Sequence, residues 1–400
     1  MTSTDSAAVG SEAGRRVLRV AHLIHCLGPG GAEDVLTDLA VAAPHAGLDV
    51  LVVGLSPSTD NVNARRLRGA GVPVLELGLP RWDPRAVPRA VRALRQYEVD
   101  VIHTHLKHAD LIGAAAGLRL GVPVVSTLHV IEDAPRTRMQ RFKRTAGLVG
   151  RRRFAARTIA LSRSQLDWYT ALAGTDRGVV VLPNGVADPP AVEPAESARV
   201  RTEWGVPADG LLIASASLMR PEKGHDLLLD AVASLPTELP IAVALAGDGP
   251  LRPGLEERVA CDPRLRDRVR FLGYRDDVPA LLAAADLVLH TSRADALPTT
   301  LIHALSVGTP VIATDVGGIP DIVGHRVAGL LAPTDPEAIA AAVVELVQDA
   351  SLRALLGKAG RERFVERFEA TGWVRRLRAV YESALRSEVA PRGAEVQHVR

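Results

Sequence analysis

What most constrains this chain is a rhythm. Short apolar runs alternate with longer amphipathic stretches, the alternation lapses once near the middle, and then it resumes. The first series has apolar runs at 16–25, 49–55, 72–77, 101–103, 124–127, 158–161 and 179–182, with helical patterns such as 32–43, 84–97 and 107–118 between them. Apolar runs of this kind suit strands buried on both faces, and the amphipathic stretches supply the covers, so a parallel sheet is predicted. The lapse falls at 187–197, ADPPAVEPAES, where proline and small residues leave no apolar period and predict a linker. The second series has strands at 211–215, 241–246, 269–272, 287–290 and 311–314, helices at 224–234 and 251–260, and three closing helical stretches at 336–348, 350–364 and 369–386. The chain reads as α/β, with two doubly wound parallel-sheet domains facing each other across a cleft. The expected boundaries are a disordered N-terminus at 1–15, a first domain at 16–186, a linker at 187–208, a second domain at 209–365, a C-terminal helix at 366–388 and a disordered tail at 389–400.

Composition narrows the class. Hydrophobic residues make up 47% and charged residues 24%, which excludes disorder as the main state. Two cysteines, Cys26 and Cys261, exclude a disulfide scaffold and a Cys-rich zinc site, and point to a reducing, cytoplasmic setting. The first 15 residues have no apolar core for a signal peptide, and no window offers the ~18 uncharged apolar residues of a membrane span. Charge is uneven: residues 1–186 carry 24 Lys and Arg against 16 Asp and Glu, and residues 187–400 carry 24 against 30. The basic excess gathers in 134–157, with nine cations, no acid, and apolar Met139, Phe142, Leu148, Val149 and Phe154 interleaved. That segment is expected either to dock on an anionic membrane surface or to form a solvated helical face. Aromatics at 3% offer no stacking platform, so nucleic acid is not an expected partner. Oligomeric state is not legible from the chain.

Chemistry concentrates in loops that follow strands. The first strand runs into Gly28-Pro29-Gly30-Gly31 and then a helix, where glycines and free helix amides can receive an anion or simply make a tight turn. The dinucleotide-binding spacing is missing, which argues against a dehydrogenase. After strand 211–215 come Arg220 and Lys223, three apart in a Pro- and Gly-containing loop; a planar fork and a point charge suit a diphosphate, and two solvated loop cations are the plainer alternative. His103, His105 and His108 are expected as core or cleft-lining histidines, not metal ligands. His105, at a strand end, is placed on the acceptor side. Asp276 and Asp277 are expected to cap a helix.

The combination of GPGGAE at 28–33, SLMRPEKGHDLL at 217–228, AGDGP at 246–250, FLGYRDDV at 271–278 and ALPTTLIHALSVGTPVIATDVGGIPDIV at 296–323 resembles the retaining glycosyltransferases of family 4, over about residues 17 to 365. The resemblance implies the GT-B fold, two Rossmann-like domains, and transfer of a sugar from a nucleotide-diphosphate donor with its anomeric configuration kept. It implies that Gly30 and Gly31 bring amides to the donor diphosphate and that Arg220 and Lys223 clamp it from the other side. Gly273 and Tyr274 would lie along the nucleobase, with Ala296 and Leu297 also on the donor side. His129 falls where the family has a histidine near the transferred sugar, and 369–386 is the stretch that crosses back to the first domain. Family members usually carry a glutamate pair with seven residues between; here Asp295 and His303 stand there. Asp295 must then approach the sugar by a backbone shift or reach it less directly, and His303, expected at the ribose, accepts one hydroxyl where a carboxylate accepts two. The pair leaves two readings, an active enzyme with adjusted contacts or a nucleotide-sugar binding protein with weakened or lost transfer. No metal or other cofactor is expected, because fixed cations can neutralise the leaving diphosphate. A lipid-linked or small hydrophilic acceptor fits the shortage of aromatics.

Overall fold

A computed structural model describes residues 16–28, 30–57, 61–81, 83–131, 135, 137–206 and 209–389; residues 1–15 and 390–400, expected to be disordered, lie outside the described residues. The first sheet holds β1 (Leu18–Ile24), β2 (Leu48–Gly54), β3 (Val74–Glu76), β4 (Val101–His105), β5 (Val124–Thr127), β6 (Ala155–Ala160) and β7 (Val179–Val181) in the order β3-β2-β1-β4-β5-β6-β7. The second holds β8 (Leu211–Ala216), β9 (Ile241–Ala246), β10 (Val269–Gly273), β11 (Leu287–His290), β12 (Val311–Thr314) and β13 (Gly329–Ala332) in the order β10-β9-β8-β11-β12-β13. The paired strands run parallel. Their runs of Val, Leu, Ile and Ala are buried because helices cover both faces of each sheet. Strand order reverses between β1 and β4 and again between β8 and β11. At such points the loops leaving the carboxyl ends diverge and open a crevice.

Several elements differ from expectation. The linker contains a helix, Pro194–Glu203, whose Val200 and the following Trp204 are buried against the second domain. Two apolar residues four apart suffice to seat a short helix, too few to show as a period among prolines. Strand β13 was not anticipated; its short GLLA run lies next to Ala328 and Pro333, without a flanking periodic pattern. Helix Ala350–Arg367 runs past the proposed boundary at 365, and the last helix spans Ala370–Val389, so residue 389 is helical. That last helix lies on the first domain. Trp373, Val374, Leu377, Tyr381 and Ala384 recur at helical spacing and are all buried. Arg378 donates to the carbonyl oxygens of Ala46, Gly47 and Arg16, each at 2.8 Å, and Arg157 donates to Ser383 at 3.0 Å. The domains also touch directly, where the Arg163 N–H donates to the Asp321 carboxylate at 2.6 Å.

Candidate functional site

The loop after β8 ends in a single 3-10 turn, Pro221–Lys223, closed by Gly224 in the left-handed region at φ 64°. A side chain there would be strained, and its Cβ would run into the Thr291 carbonyl. This close approach brings the β8 loop against the loop after β11, and with it Lys223 against Asp295. The Lys223 ammonium lies 2.5 Å from Asp295 Oδ2. The same oxygen receives the Ser292 hydroxyl at 3.3 Å and faces His290 Nε2 at 3.4 Å. Burial pushes the Asp295 carboxyl up, but the His290 hydrogen bond and the Lys223 charge outweigh it and bring it down to about 2. Asp295 is therefore an anionic anchor for Lys223. Arg220, at the start of the same turn, is exposed.

The loop carrying Asp295, Ala296 and Leu297 is held from beneath. The Gly318 N–H donates to the Asp295 carbonyl at 3.0 Å, and a Cβ on Gly317, at φ 55°, would collide with that carbonyl. Ala296 and Leu297 are buried, and helix Thr299–Ser306 follows without a side-chain cap. Helix Gly31–Ala42 of the first domain also begins uncapped, with Gly30 extended before it. A Cβ on Gly31 would sit 3.7 Å from the Thr299 hydroxyl, so the two helix starts meet across the cleft. Each leaves backbone amides without an intrahelical acceptor, and their dipoles favour an anion between them. The Glu33 carboxylate folds back against Gly30.

His303 sits one turn into the helix from Thr299. Among the described residues its Nδ1 is buried without a hydrogen-bond partner. Burial, with the Arg66 charge of the first domain, lowers its pKa to about 4, so the ring is neutral and can accept. Gly273 closes β10, and the Tyr274 ring beside it is 59% exposed. Asp277 starts a helix without capping it, because its carboxylate is taken by Arg275 at 2.5 Å.

On the first domain, His129 follows β5 and is half-buried; burial lowers its pKa to about 4. Beneath it His105 is 4% exposed, with Nδ1 2.9 Å from His129 Nε2 and Nε2 2.9 Å from His22 Nδ1. His105, expected on the acceptor side, thus has both ring nitrogens engaged inside the protein. Asp110 is likewise engaged, by Arg151 at 2.6 Å, Ser126 at 2.7 Å and Thr104 at 2.6 Å. Arg151, counted among the surface cations of 134–157, is thus buried. Cys26, just after the first strand, is half-buried. His290 and Ser292 were not singled out from sequence, although a histidine closing an apolar strand two residues before a serine was a usable signal. His22, a lone ring in LRVAHLI, was another.

Comparisons with known proteins identify the family and the fold. Residues 29–188 match the family described as Glycosyltransferase Family 4, and residues 210–349 match Glycosyl transferases group 1. The chain is 32% identical over 304 residues to a 2-deoxystreptamine glucosyltransferase of Streptomyces kanamyceticus, covering 72% of this chain and 78% of that one. It is 32% identical over 327 residues to a D-inositol 3-phosphate glycosyltransferase of Salinispora tropica, covering 74% and 66%. Among solved structures, Anabaena Alr3699/HepE in complex with UDP-glucose superposes with a TM-score of 0.81 at 25% identity, over 92% of this chain and 100% of that one. With two parallel-sheet domains, a cleft lined by their switch-point loops and these relatives, the chain belongs to the family 4 glycosyltransferases and has the GT-B fold.

Proposed function

We propose that the enzyme moves a sugar from a nucleoside-diphosphate sugar to a small hydrophilic acceptor, with retention and without a resident metal ion. The observation that carries this reading is the Lys223 ammonium, pinned by Asp295 at the carboxyl edge of the second sheet. Cleaving a glycosyl–phosphate bond leaves negative charge on the departing diphosphate. An ammonium has three donors; one is spent on Asp295, and two remain for phosphate oxygens. Exposed Arg220 adds a planar fork, and the two facing helix starts add amides already oriented for an anion. His303 offers one acceptor to a ribose hydroxyl. Structural neighbours solved with UDP and with UDP-glucose support a nucleotide donor. Relatives named for 2-deoxystreptamine and D-inositol 3-phosphate favour a small hydrophilic acceptor over a lipid-linked one.

Transfer from nucleoside-diphosphate sugars to polyol acceptors, followed by NMR of the product, tests this. The product is expected to keep the donor's anomeric configuration, and the rate in EDTA should match that in magnesium. An inverted product or an absolute need for a divalent ion would overturn the respective part of the reading.

The basic segment supports a surface role for one helix face. Among the described residues no helix is long and apolar enough to cross a membrane. In helix Arg138–Phe154, however, Phe142 is 68% exposed and Val149 55%, seven residues apart and so on one face. Exposed Arg138, Arg141, Arg152 and Arg153 flank them. Such a face suits an anionic bilayer at about 1 kcal/mol per near-surface cation. The protein should float with vesicles containing anionic lipid and stay behind with neutral ones; equal behaviour would remove this role.

A further inference from the structure

Six side chains form one unbroken hydrogen-bonded chain that ends at His129. Thr127 Oγ1 lies 2.7 Å from His103 Nε2, and His103 Nδ1 lies 2.8 Å from the Tyr381 hydroxyl. That hydroxyl faces His22 Nε2 at 3.4 Å, the weakest link; His22 Nδ1 then meets His105 Nε2, and His105 Nδ1 meets His129 Nε2, both at 2.9 Å. The chain joins β1, β4 and β5 to the C-terminal helix, and each member except His129 is 4% exposed or less.

Proton counting limits what this chain can be. Burial keeps all four imidazoles neutral, with His22 lowered to about 3, His129 to about 4, and His103 and His105 well below the ordinary value. A neutral imidazole has one N–H and one bare nitrogen, and the tyrosine hydroxyl has a single hydrogen to donate. Every inner member must therefore donate on one side and accept on the other, so the donors all point the same way. Only two arrangements satisfy every contact. In one, Thr127 donates to His103 and the sense runs outward, so His129 accepts at Nε2 and carries its proton on Nδ1. In the other, the sense runs inward, and the buried Thr127 hydroxyl hydrogen has no acceptor among the described residues. An orphaned buried donor is costly, and the 2.7 Å contact suits O–H···N.

We propose that Tyr381 and His22 are positioning residues that, through this chain, hold His129 as the Nδ1–H tautomer. His129 then presents a hydrogen-bond donor at its outer nitrogen and does not serve there as a base. That consequence rests on the proposed place of His129 beside the transferred sugar; the tautomer itself does not. A metal held by His22, His103 and His105, whose ligand atoms lie within 4.8 Å of one another, fits less well. Tetrahedral zinc with bonds of about 2.0–2.1 Å keeps nitrogens about 3.3 Å apart, whereas 2.9 Å is an N–H···N contact.

The test is long-range proton–nitrogen NMR of the full chain labelled with ring-15N histidine, with His129 assigned by its absence in His129→Asn. Wild type should show His129 protonated at Nδ1 and bare at Nε2, although free imidazole side chains in water prefer the opposite. In Tyr381→Phe, either sense leaves one nitrogen of His22 unpartnered, so the preference should fall and the two His129 nitrogen signals should converge. Thr127→Val, which orphans His103 in the same way, serves as the second variant. An Nε2–H tautomer in the wild type, unmoved His129 signals in both variants, or stoichiometric metal in the purified protein would overturn the proposal. None of these readouts needs turnover, so they fail or succeed independently of the donor and acceptor assigned above.

Discussion

Lys223→Ala is expected to lower kcat by about 10²–10³-fold, the usual loss when one preorganised donor to a developing anion is removed. The reason lies in how the ammonium is held. A solvated lysine must lose rotamer freedom as charge develops, whereas this one is already fixed by Asp295 and by the turn that Gly224 permits. Asp295→Ala should therefore also cost activity, but less, because it loosens the ammonium without deleting it. Since the two residues act as a unit, the double variant should be no worse than Lys223→Ala alone. Steady-state kinetics read against circular-dichroism melts separate this from unfolding. Normal turnover by folded Lys223→Ala would remove the diphosphate clamp from the mechanism.

Acid should unfold this protein unusually early. His22 is lowered to about 3 by burial, and His225 to about 4, by burial first and then by His290 and Lys223. Below pH 6.5 the unfolded chain binds protons at these positions that the folded chain refuses, so stability is full above that pH and is lost as pH falls toward 4. At pH 5 each of the two removes about 2 kcal/mol. His103 and His105 act in the same direction. Asp38 works against them: burial raises its pKa to about 6, so the folded state gains about 1.4 kcal/mol there at pH 5. The balance is still a loss of several kcal/mol from a typical total of about 5–15. Urea melts at pH 7 and pH 5 measure it directly; equal midpoints would mean that these histidines titrate in the folded state as they do in water.

The architecture was legible because burial on both sheet faces leaves uninterrupted Val, Leu and Ile runs, and β9, β11 and β12 fall where the sequence placed them. The helix at Pro194–Glu203 escaped because it is held by Val200 and Trp204 and not by a periodic face. Lys223 stood out in an arginine-rich chain with four lysines. Its partner did not: that Asp295 turns to the ammonium depends on the β8 and β11 loops closing against each other at Gly224 and Thr291, a tertiary contact without a local signature. For the same reason the sequence could place His103 and His105 on one strand face but could not foresee Tyr381, which arrives from the far end of the chain.

That arrival governs how such enzymes can be recombined. The stretch between the lobes looks like the natural place to cut, yet the ring and the guanidinium that complete the front lobe, Tyr381 and Arg378, are encoded behind it. A chimera joined there would give one parent's front lobe the other parent's closing helix. Exchange that respects the packing needs two crossovers, so that the tail travels with the lobe it covers.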